Sequence, residues 1–137
     1  MANTIFKKII DGEIPCYKVY EDDRVLAFLD IHPLSPGHTL VIPKEPAETL
    51  DALSADSAAA VGRVLPVVAR AIQRATGAVA YNVLQNNGRI AHQEVLHVHF
   101  HIIPRFEDGR GLGITWKANE VNDPEGLLAR IREHLDV

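Results

Sequence analysis

The stretch that decides the fold is "EVLHVHFHIIPR", residues 94–105, in which histidines alternate with apolar side chains. The three histidines that occupy every second position are His97, His99 and His101. Successive side chains of a β-strand point to opposite faces of a sheet. The spacing therefore predicts a strand that carries three imidazoles on one face and buries the intervening apolar residues on the other.

The composition is that of an ordinary globular chain, with 137 residues, 47% hydrophobic and 23% charged. A chain of this length buries roughly two-thirds of its unfolded surface in one domain. Its longest apolar runs are about six residues, against the roughly 20 that a bilayer requires, so no membrane partner is expected. The net charge is −4. Because duplex binding depends on neutralising phosphates with Lys and Arg, no nucleic-acid partner is expected either.

The N-terminal segment "MANTIFKKIIDGEIP" has no long apolar core and no cleavage site of small residues. It is therefore not expected to be a secretory signal. The single cysteine, Cys16, can form no internal disulfide. Both features favour a reducing, cytoplasmic location.

Three helices are predicted from apolar periodicity and capping residues. A short helix lies in "NTIFKKIIDG", with Asn3 or Thr4 as its cap. A long amphipathic helix covers 54–76, and Pro66 inside it predicts a kink or a break into two helices. A C-terminal helix covers "DPEGLLARIREHL", with Asp123 as its cap. The apolar residues of this last helix that are expected to face inward are Leu127, Leu128, Ile131 and Leu135.

Five strands are predicted from alternating apolar residues bounded by turn signals. They lie in "YKVYEDDRVLAFLDI", which is a hairpin of two strands, and in "HTLVIP", "AVAYNVLQ" and "VLHVHFHIIP". Helices and strands do not alternate strictly along the chain. An antiparallel sheet with helices on one face therefore fits better than a doubly wound parallel sheet, and the predicted class is α+β.

Isolated histidines such as His32, His92 and His134 are interpreted as solvated or hydrogen-bonded bystanders. Three aligned imidazoles need another explanation, since they repel one another when charged and add little packing. A metal is one alternative, but His97 and His101 would stand roughly 13 Å apart along a strand, too far to share an ion. A site of two triad histidines completed by His38 or Asp30 is the metal alternative left open. We expect no metal or other cofactor.

Phosphoryl chemistry uses such a row of histidines well. Neutral imidazole is a nucleophile and its protonated form a double donor, and both exist near neutral pH because the ordinary pKa is about 6.5. A phosphorus centre needs a nucleophile, donors for its equatorial charge and an acid for the leaving group. His99, with a neighbour on each side, is the predicted nucleophile. His101 is the predicted donor to a phosphoryl oxygen.

The motif "HVHFHII" fits the signature of the histidine triad (HIT) family, and the chain resembles the Hint branch of its nucleotide hydrolases and transferases. The segments "TIFKKIIDGEIP", "YEDDRVLAFLDI", "PGHTLVIPK" and "LQNNG" also fall in family order. The resemblance implies a single HIT domain over 1–137, with its core at 4–106 and a less characteristic tail at 107–137. It implies a HIT-like fold, in which a five-stranded antiparallel sheet carries the three predicted helices.

The resemblance also implies roles for four histidines. His99 would take the nucleotidyl group as a covalent phosphoramidate intermediate, and His101 would hydrogen-bond the α-phosphate. His97 would orient the nucleophile through its backbone carbonyl group, and His38 would be a supporting fourth histidine. Because transferase branches replace the third triad histidine with glutamine, the presence of His101 favours hydrolysis.

A nucleoside pocket follows from the same resemblance. Asp30 would accept hydrogen bonds from the ribose hydroxyls, and Asn86 and Gln93 would face the phosphates. The apolar residues that would line the base and ribose pocket are Phe6, Ile9, Phe28, Leu29 and Ile31. An alternative for Phe28 and Ile31 is ordinary core, and for Phe6 and Ile9 the buried face of their helix.

The chain departs from the family at several positions. Some bacterial members hold a structural zinc with a CxxC pair and a later histidine, and these positions here are Thr4, Lys7 and Pro46, so that zinc is not expected. His92 replaces a glycine that often precedes the family glutamine. Glu94 replaces a hydroxyl residue, and its carboxylate would repel a substrate phosphate if it pointed inward.

The favoured function is hydrolysis of purine nucleoside phosphoramidates or acyl-adenylates through a nucleotidyl-histidine intermediate. Cleavage of dinucleoside polyphosphates is a second enzymatic hypothesis, and a nucleotide-binding scaffold with little turnover is a third hypothesis from another class. The resemblance further implies a homodimer whose sheets join edge to edge. Trp116 would then either reach the partner's pocket or pack on its own core.

Overall fold

The computed structural model describes residues 3–137 of the chain. Its five strands form one antiparallel sheet in the order β1-β2-β3-β5-β4, which confirms the predicted α+β class. The elements in chain order are α1 (Ile5–Ile10), β1 (Lys18–Glu21), β2 (Val25–Leu29), β3 (Thr39–Pro43), α2 (Ala55–Thr76), β4 (Ala80–Gln85), β5 (Phe100–Arg105) and α3 (Pro124–Glu133). Short 3-10 turns at Leu50–Ala52 and Arg89–Ala91 were not predicted.

The sheet is covered on both faces, because β2 is buried on both of its sides. Val25 and Ala27 pack in the cluster that contains the buried face of α2. Leu26 and Phe28 point the other way and pack against Phe6 of α1. The prediction that the helices share one face is therefore wrong. The apolar run of β2, in which both alternating sets are buried, is the sequence signal of a strand between two layers.

The long helix α2 runs without interruption past Pro66, so the predicted break into two helices is wrong. Pro66 is exposed, which leaves the buried side of α2 free to pack on the sheet and hold the helix together. The helix ends at Thr76 as predicted and begins at Ala55, one residue later than predicted. The Ser54 hydroxyl accepts a hydrogen bond from the Ser57 N–H at 3.1 Å, and Gly77 ends the helix in the left-handed conformation.

The fifth strand is shorter than predicted and begins at Phe100. Of the three histidines only His101 lies in β5, while His97 and His99 precede it. The backbone N–H of Val98 donates to the carbonyl group of Ala47 at 2.8 Å, so this part of the chain is bonded to the connection after β3. The prediction of one strand carrying all three histidines is wrong for this reason.

The C-terminal helix begins as predicted, with the Asp123 carboxylate accepting from the Gly126 N–H at 3.1 Å. Its apolar face is not buried, however, and the prediction that it faces inward is wrong. Periodicity identifies the apolar side of a helix but not what covers it. The four residues, which are between 40% and 65% exposed, are Leu127, Leu128, Ile131 and Leu135. In the part of the chain described, no helix is long and apolar enough to cross a membrane.

Candidate active site

A cavity of about 300 Å³ lies between α1 and the sheet, where the segment after β2 meets β5. It is the place where most of the predicted site residues come together. Those that line it are Phe6, Ile9, Phe28, Leu29, Asp30, Ile31, His99 and His101. Those that do not line it are His38, Asn86, Gln93 and His97. Phe6 and Phe28, buried beside each other with ring centroids 5.7 Å apart, serve both the core and the cavity wall.

His99 is held as a neutral base by its surroundings. Its Nδ1 atom lies 2.7 Å from the backbone carbonyl oxygen of His97. Since a carbonyl oxygen only accepts, Nδ1 carries the proton and Nε2 keeps its lone pair. The ring packs edge-on against Phe6 at a centroid distance of 4.9 Å. Burial lowers the pKa of His99 below its ordinary value, so the ring is uncharged at neutral pH.

His38 fixes the protonation of His101 through a chain of hydrogen bonds. The backbone N–H of Leu34 donates to Nδ1 of His38 at 3.0 Å, which requires the proton of neutral His38 to be on Nε2. That atom lies 2.9 Å from Nδ1 of His101 and donates to it. The proton of neutral His101 is therefore on Nε2, where it can be donated to a ligand.

His101 is uncharged at neutral pH for electrostatic reasons as well. Burial, with the nearby rings of His99 and His38, lowers the pKa of His101 to about 4. The rings of His99 and His101 are 5.0 Å apart at their centroids. The cavity thus presents one imidazole lone pair and one imidazole N–H side by side, which suits attack on a phosphorus atom and binding of its oxygen.

The side chain of His97 serves the fold rather than the cavity. Its Nε2 lies 2.8 Å from the carbonyl oxygen of Pro43, to which it donates. The ring is buried and borders a separate cavity of about 160 Å³ beside Thr4 and Lys7. The backbone carbonyl oxygen of His97 is the atom that contacts the ring of His99.

Asp30 closes the group of polar residues at the cavity. One carboxylate oxygen accepts from the His32 N–H at 2.8 Å, and the other lies 3.5 Å from Nε2 of His38. Ligand atoms of Asp30, His38 and His101 lie within 4.8 Å of one another. A cation there would need the Nε2 lone pair of His38, and that atom keeps its proton because Nδ1 accepts from the backbone. The arrangement therefore fits a hydrogen-bonded group better than a metal site.

Gln93 and Asn86 lie away from the cavity. Gln93 is buried, and its amide nitrogen donates to the carbonyl groups of Glu48 at 2.7 Å and Val95 at 3.0 Å. Its amide oxygen accepts from a loop N–H at 2.7 Å. These bonds occupy the side chain, so Gln93 does not face a phosphate as expected. The amide of Asn86 is 3.5 Å from the carbonyl oxygen of His92.

Three residues that were not predicted to be site residues also line the cavity, namely His32, Glu94 and Cys16. His32 was interpreted as a bystander, although its position two residues after Asp30 could have indicated otherwise. The sequence signal at Glu94 is its departure from the family at the position after Gln93. Cys16 carried no recognisable signal, and burial raises the pKa of its thiol.

The geometry agrees with comparisons to known proteins. The family model of the HIT domain matches residues 11–108, well over half of the chain. The chain belongs to the HIT family. Adenosine 5'-monophosphoramidase of Schizosaccharomyces pombe is 52% identical to this HIT protein over 125 residues, which cover 91% of this chain and 90% of the relative.

Solved structures of HIT proteins have the same fold. A HIT family member from Bacillus subtilis is 42% identical, with a TM-score of 0.93 and coverage of 99% of both chains. The histidine triad nucleotide-binding protein from Candida albicans is 39% identical, with a TM-score of 0.84 and coverage of 96% of this chain and 95% of that one. The resemblance inferred from "HVHFHII" and the accompanying segments is confirmed.

Proposed function

We propose that this HIT protein is a purine nucleotide hydrolase of the phosphoramidase type, which transfers a nucleotidyl group to His99 and then to water. One observation carries the proposal. The hydrogen bond from Nδ1 of His99 to the His97 carbonyl group leaves the Nε2 lone pair free at the cavity wall. The name of the Schizosaccharomyces pombe relative, adenosine 5'-monophosphoramidase, supports the same activity.

The reaction takes two displacements at phosphorus. In the first, the Nε2 lone pair of His99 bonds to phosphorus while the P–N bond of the substrate breaks. The electron pair of that bond leaves on the amine, which takes a proton from solvent. In the second, water attacks phosphorus and the bond to His99 breaks, returning its electron pair to Nε2. The proton lost by water passes to solvent, and a nucleoside monophosphate is released.

The residues around His99 support these steps. The His97 carbonyl oxygen accepts the Nδ1 proton throughout, which stabilises the positive charge that the ring carries in the intermediate. The Nε2–H of His101 donates to a phosphoryl oxygen. The free lone pairs of Asp30 accept the ribose hydroxyls, and the apolar wall that includes Phe28 holds the purine.

Trapping the intermediate tests the function. Adenosine phosphoramidate labelled at phosphorus is mixed with the protein, which is then denatured and analysed for bound label. Wild-type protein is expected to carry label, and His99→Ala to carry none. His134→Ala, which changes an exposed histidine of the C-terminal segment, is the matched control and should label normally. Absence of both label and turnover in the wild type would favour the scaffold hypothesis, and a preference for a diadenosine polyphosphate would favour the other hydrolase.

We also infer a homodimer in which the β4 edges of two copies meet. The strand β4 lies at one end of the sheet, where its outer backbone groups need a partner. Tyr81 and Val83 of β4 are 42% and 49% exposed, and Val67 of α2 is 51% exposed, so the edge is apolar. Trp116 is 87% exposed and does not pack on its own core, which is consistent with a role at the partner's cavity.

The dimer has a matched test because the sheet has two ends. Val83→Lys places a charge on β4, and Val19→Lys places the same charge on β1 at the opposite end. Sedimentation is expected to show a dimer for the wild type and for Val19→Lys, and a monomer for Val83→Lys. The reverse pattern would contradict the inferred interface.

A cytoplasmic location also belongs to the proposal and is supported by the single cysteine, Cys16.

A further inference from the structure

A second cavity of about 320 Å³, shallow and open to solvent, adjoins the cavity lined by His99 and His101. The two share three lining residues, Ile5, Glu94 and Val95. Arg89 lines only the second cavity. Glu94 therefore lies on the wall between the cavity that contains His99 and the second cavity. A nucleoside monophosphate bound at His99 would leave the second cavity free.

The carboxylate of Glu94 is available to a ligand. The side chain is exposed, and across residues 3–137 it forms neither a hydrogen bond nor an ion pair with another side chain. Its negative charge opposes the lowering of the pKa of His99 by burial, which places it within electrostatic reach of the nucleophile. A charge at this position acts on whatever is bound to phosphorus.

Two hydrogen bonds hold the loop that carries Arg89 and Glu94. The Gly88 N–H donates to the side-chain oxygen of Gln93 at 2.7 Å, and the Gln93 N–H donates to the Gly88 carbonyl group at 3.1 Å. Arg89 directly follows Gly88 in the sequence, and Glu94 directly follows Gln93. Both charges are therefore presented from backbone positions that the buried Gln93 side chain holds in place.

We propose that the second cavity receives the leaving group and that Glu94 selects leaving groups with an ammonium group close to the scissile bond. The inference rests on the proposed phosphoramidase function. A carboxylate beside a substrate phosphate costs binding energy through repulsion. An ammonium on the leaving group, located between the two anions, turns that repulsion into two attractions.

The position of Arg89 refines the substrate class. Arg89 lines the second cavity but not the cavity of His99, whereas Glu94 lines both, so the cationic residue suits an anion farther from phosphorus than the ammonium that Glu94 would attract. The α-ammonium of an aminoacyl-adenylate lies near the scissile bond, as this order of charges requires. An amino acid joined to phosphorus through its nitrogen has its carboxylate there instead, and Glu94 disfavours it.

Three stable adenosine phosphoramidates isolate the effect of charge. Their amines are ethane-1,2-diamine, 2-aminoethanol and glycine, which place an ammonium, a hydroxyl and a carboxylate at the same distance along the leaving group. We expect wild-type kcat/KM for the ammonium substrate to exceed that for the hydroxyl substrate by about threefold to fivefold, as for an exposed ion pair. The carboxylate substrate is expected to be slowest. The preference should shrink as ionic strength rises.

Two variants complete the experiment. Glu94→Gln removes the charge and keeps the size, and should bring the ratio of ammonium to hydroxyl substrate close to one. Asp23→Asn removes an equal charge from the turn between β1 and β2, at the opposite end of β2 from Asp30, and should keep the wild-type ratio. Equal rates for all three substrates in an active wild type would overturn the inference and leave the proposed function standing. No turnover of any of them, together with no labelled intermediate, would overturn both.

Discussion

The Nδ1 atom of His99 lies 2.7 Å from the backbone carbonyl oxygen of His97, so two triad histidines separated by one residue form a donor and acceptor pair. The side chain of His97 is meanwhile bonded to Pro43, which keeps this part of the backbone in position. The proton of neutral His99 is therefore on Nδ1, and Nε2 keeps its lone pair. Its reactivity therefore depends on the ring remaining neutral.

The pH dependence of kcat/KM should report this neutral ring. Burial lowers the pKa of His99, so the proposed nucleophile becomes protonated only at a pH below the ordinary value of about 6.5. We expect kcat/KM to stay level as the pH falls to 6.5 and to decline at lower pH. Initial rates corrected for acid hydrolysis of the substrate measure this profile. An acidic limb centred above 6.5 would show that burial does not control the nucleophile.

Replacement of His101 should reduce the rate of the chemical step. His101→Ala removes the proposed donor to the phosphoryl oxygen, and the loss of one such donor lowers kcat by about 100-fold to 1,000-fold. His38→Ala leaves His101 in place but frees its tautomer, so a smaller loss is expected. Single-turnover rates and nucleotide dissociation constants separate chemistry from binding. A larger loss in His38→Ala than in His101→Ala would contradict the relay from Leu34 through His38.

The free energy of unfolding should fall as the pH drops from 6.5 toward 4. The folded state lowers the pKa of His101 to about 4, whereas an unfolded histidine has a pKa of about 6.5. Between these values the unfolded state binds more protons, so stability is complete above 6.5 and is lost as the pH falls through the window. Urea denaturation at several pH values measures the change. His101→Gln should show a smaller decrease than the wild type, and the control His134→Gln an equal one.

The sheet was predictable because local patterns specify it. The hairpin in "YKVYEDDRVLAFLDI", the strand in "HTLVIP" and the end of α2 at Thr76 each depend on neighbouring residues, and each appears as expected. The short fifth strand was not predictable, because the bond from Val98 to Ala47 joins distant segments. The rings of His99 and His101 still lie side by side. The backbone pairing of β5 begins only at Phe100, so it does not include His97 or His99.

The site was predictable to the extent that it follows the family motif. Phe28, Asp30, His99 and His101 line the cavity as expected. The prediction that Gln93 faces the phosphates is wrong because carbonyl groups of Glu48 and Val95 determine the direction of its side chain. No local sequence pattern indicates these contacts. The prediction that the apolar face of α3 is buried is wrong for the same reason, because tertiary contacts decide what covers a helix.

Gln93 should matter more to stability than to catalysis. Gln93→Ala leaves buried backbone partners without hydrogen bonds, which costs about 1–3 kcal/mol for each group left unsatisfied. Asn86→Ala is the control, because the Asn86 amide has only a long contact, and it should stay within about 0.5 kcal/mol of the wild type. Urea denaturation gives both values. Full stability of Gln93→Ala with weakened nucleotide binding would instead support the original expectation that Gln93 faces the phosphates.

Replacement of His92 by glycine should increase the free energy of unfolding. His92 ends the 3-10 turn with φ of +70°, and its side chain is exposed. A non-glycine residue in this left-handed region costs roughly 1–2 kcal/mol. Glycine removes that cost but loses about 0.5–1 kcal/mol through the greater freedom of the unfolded chain. The net gain expected for His92→Gly is therefore about 0.5–1 kcal/mol. Ala91→Gly, one residue earlier and without a positive φ, should instead lower stability in the same urea titration, and a loss of stability in both variants would refute the backbone explanation.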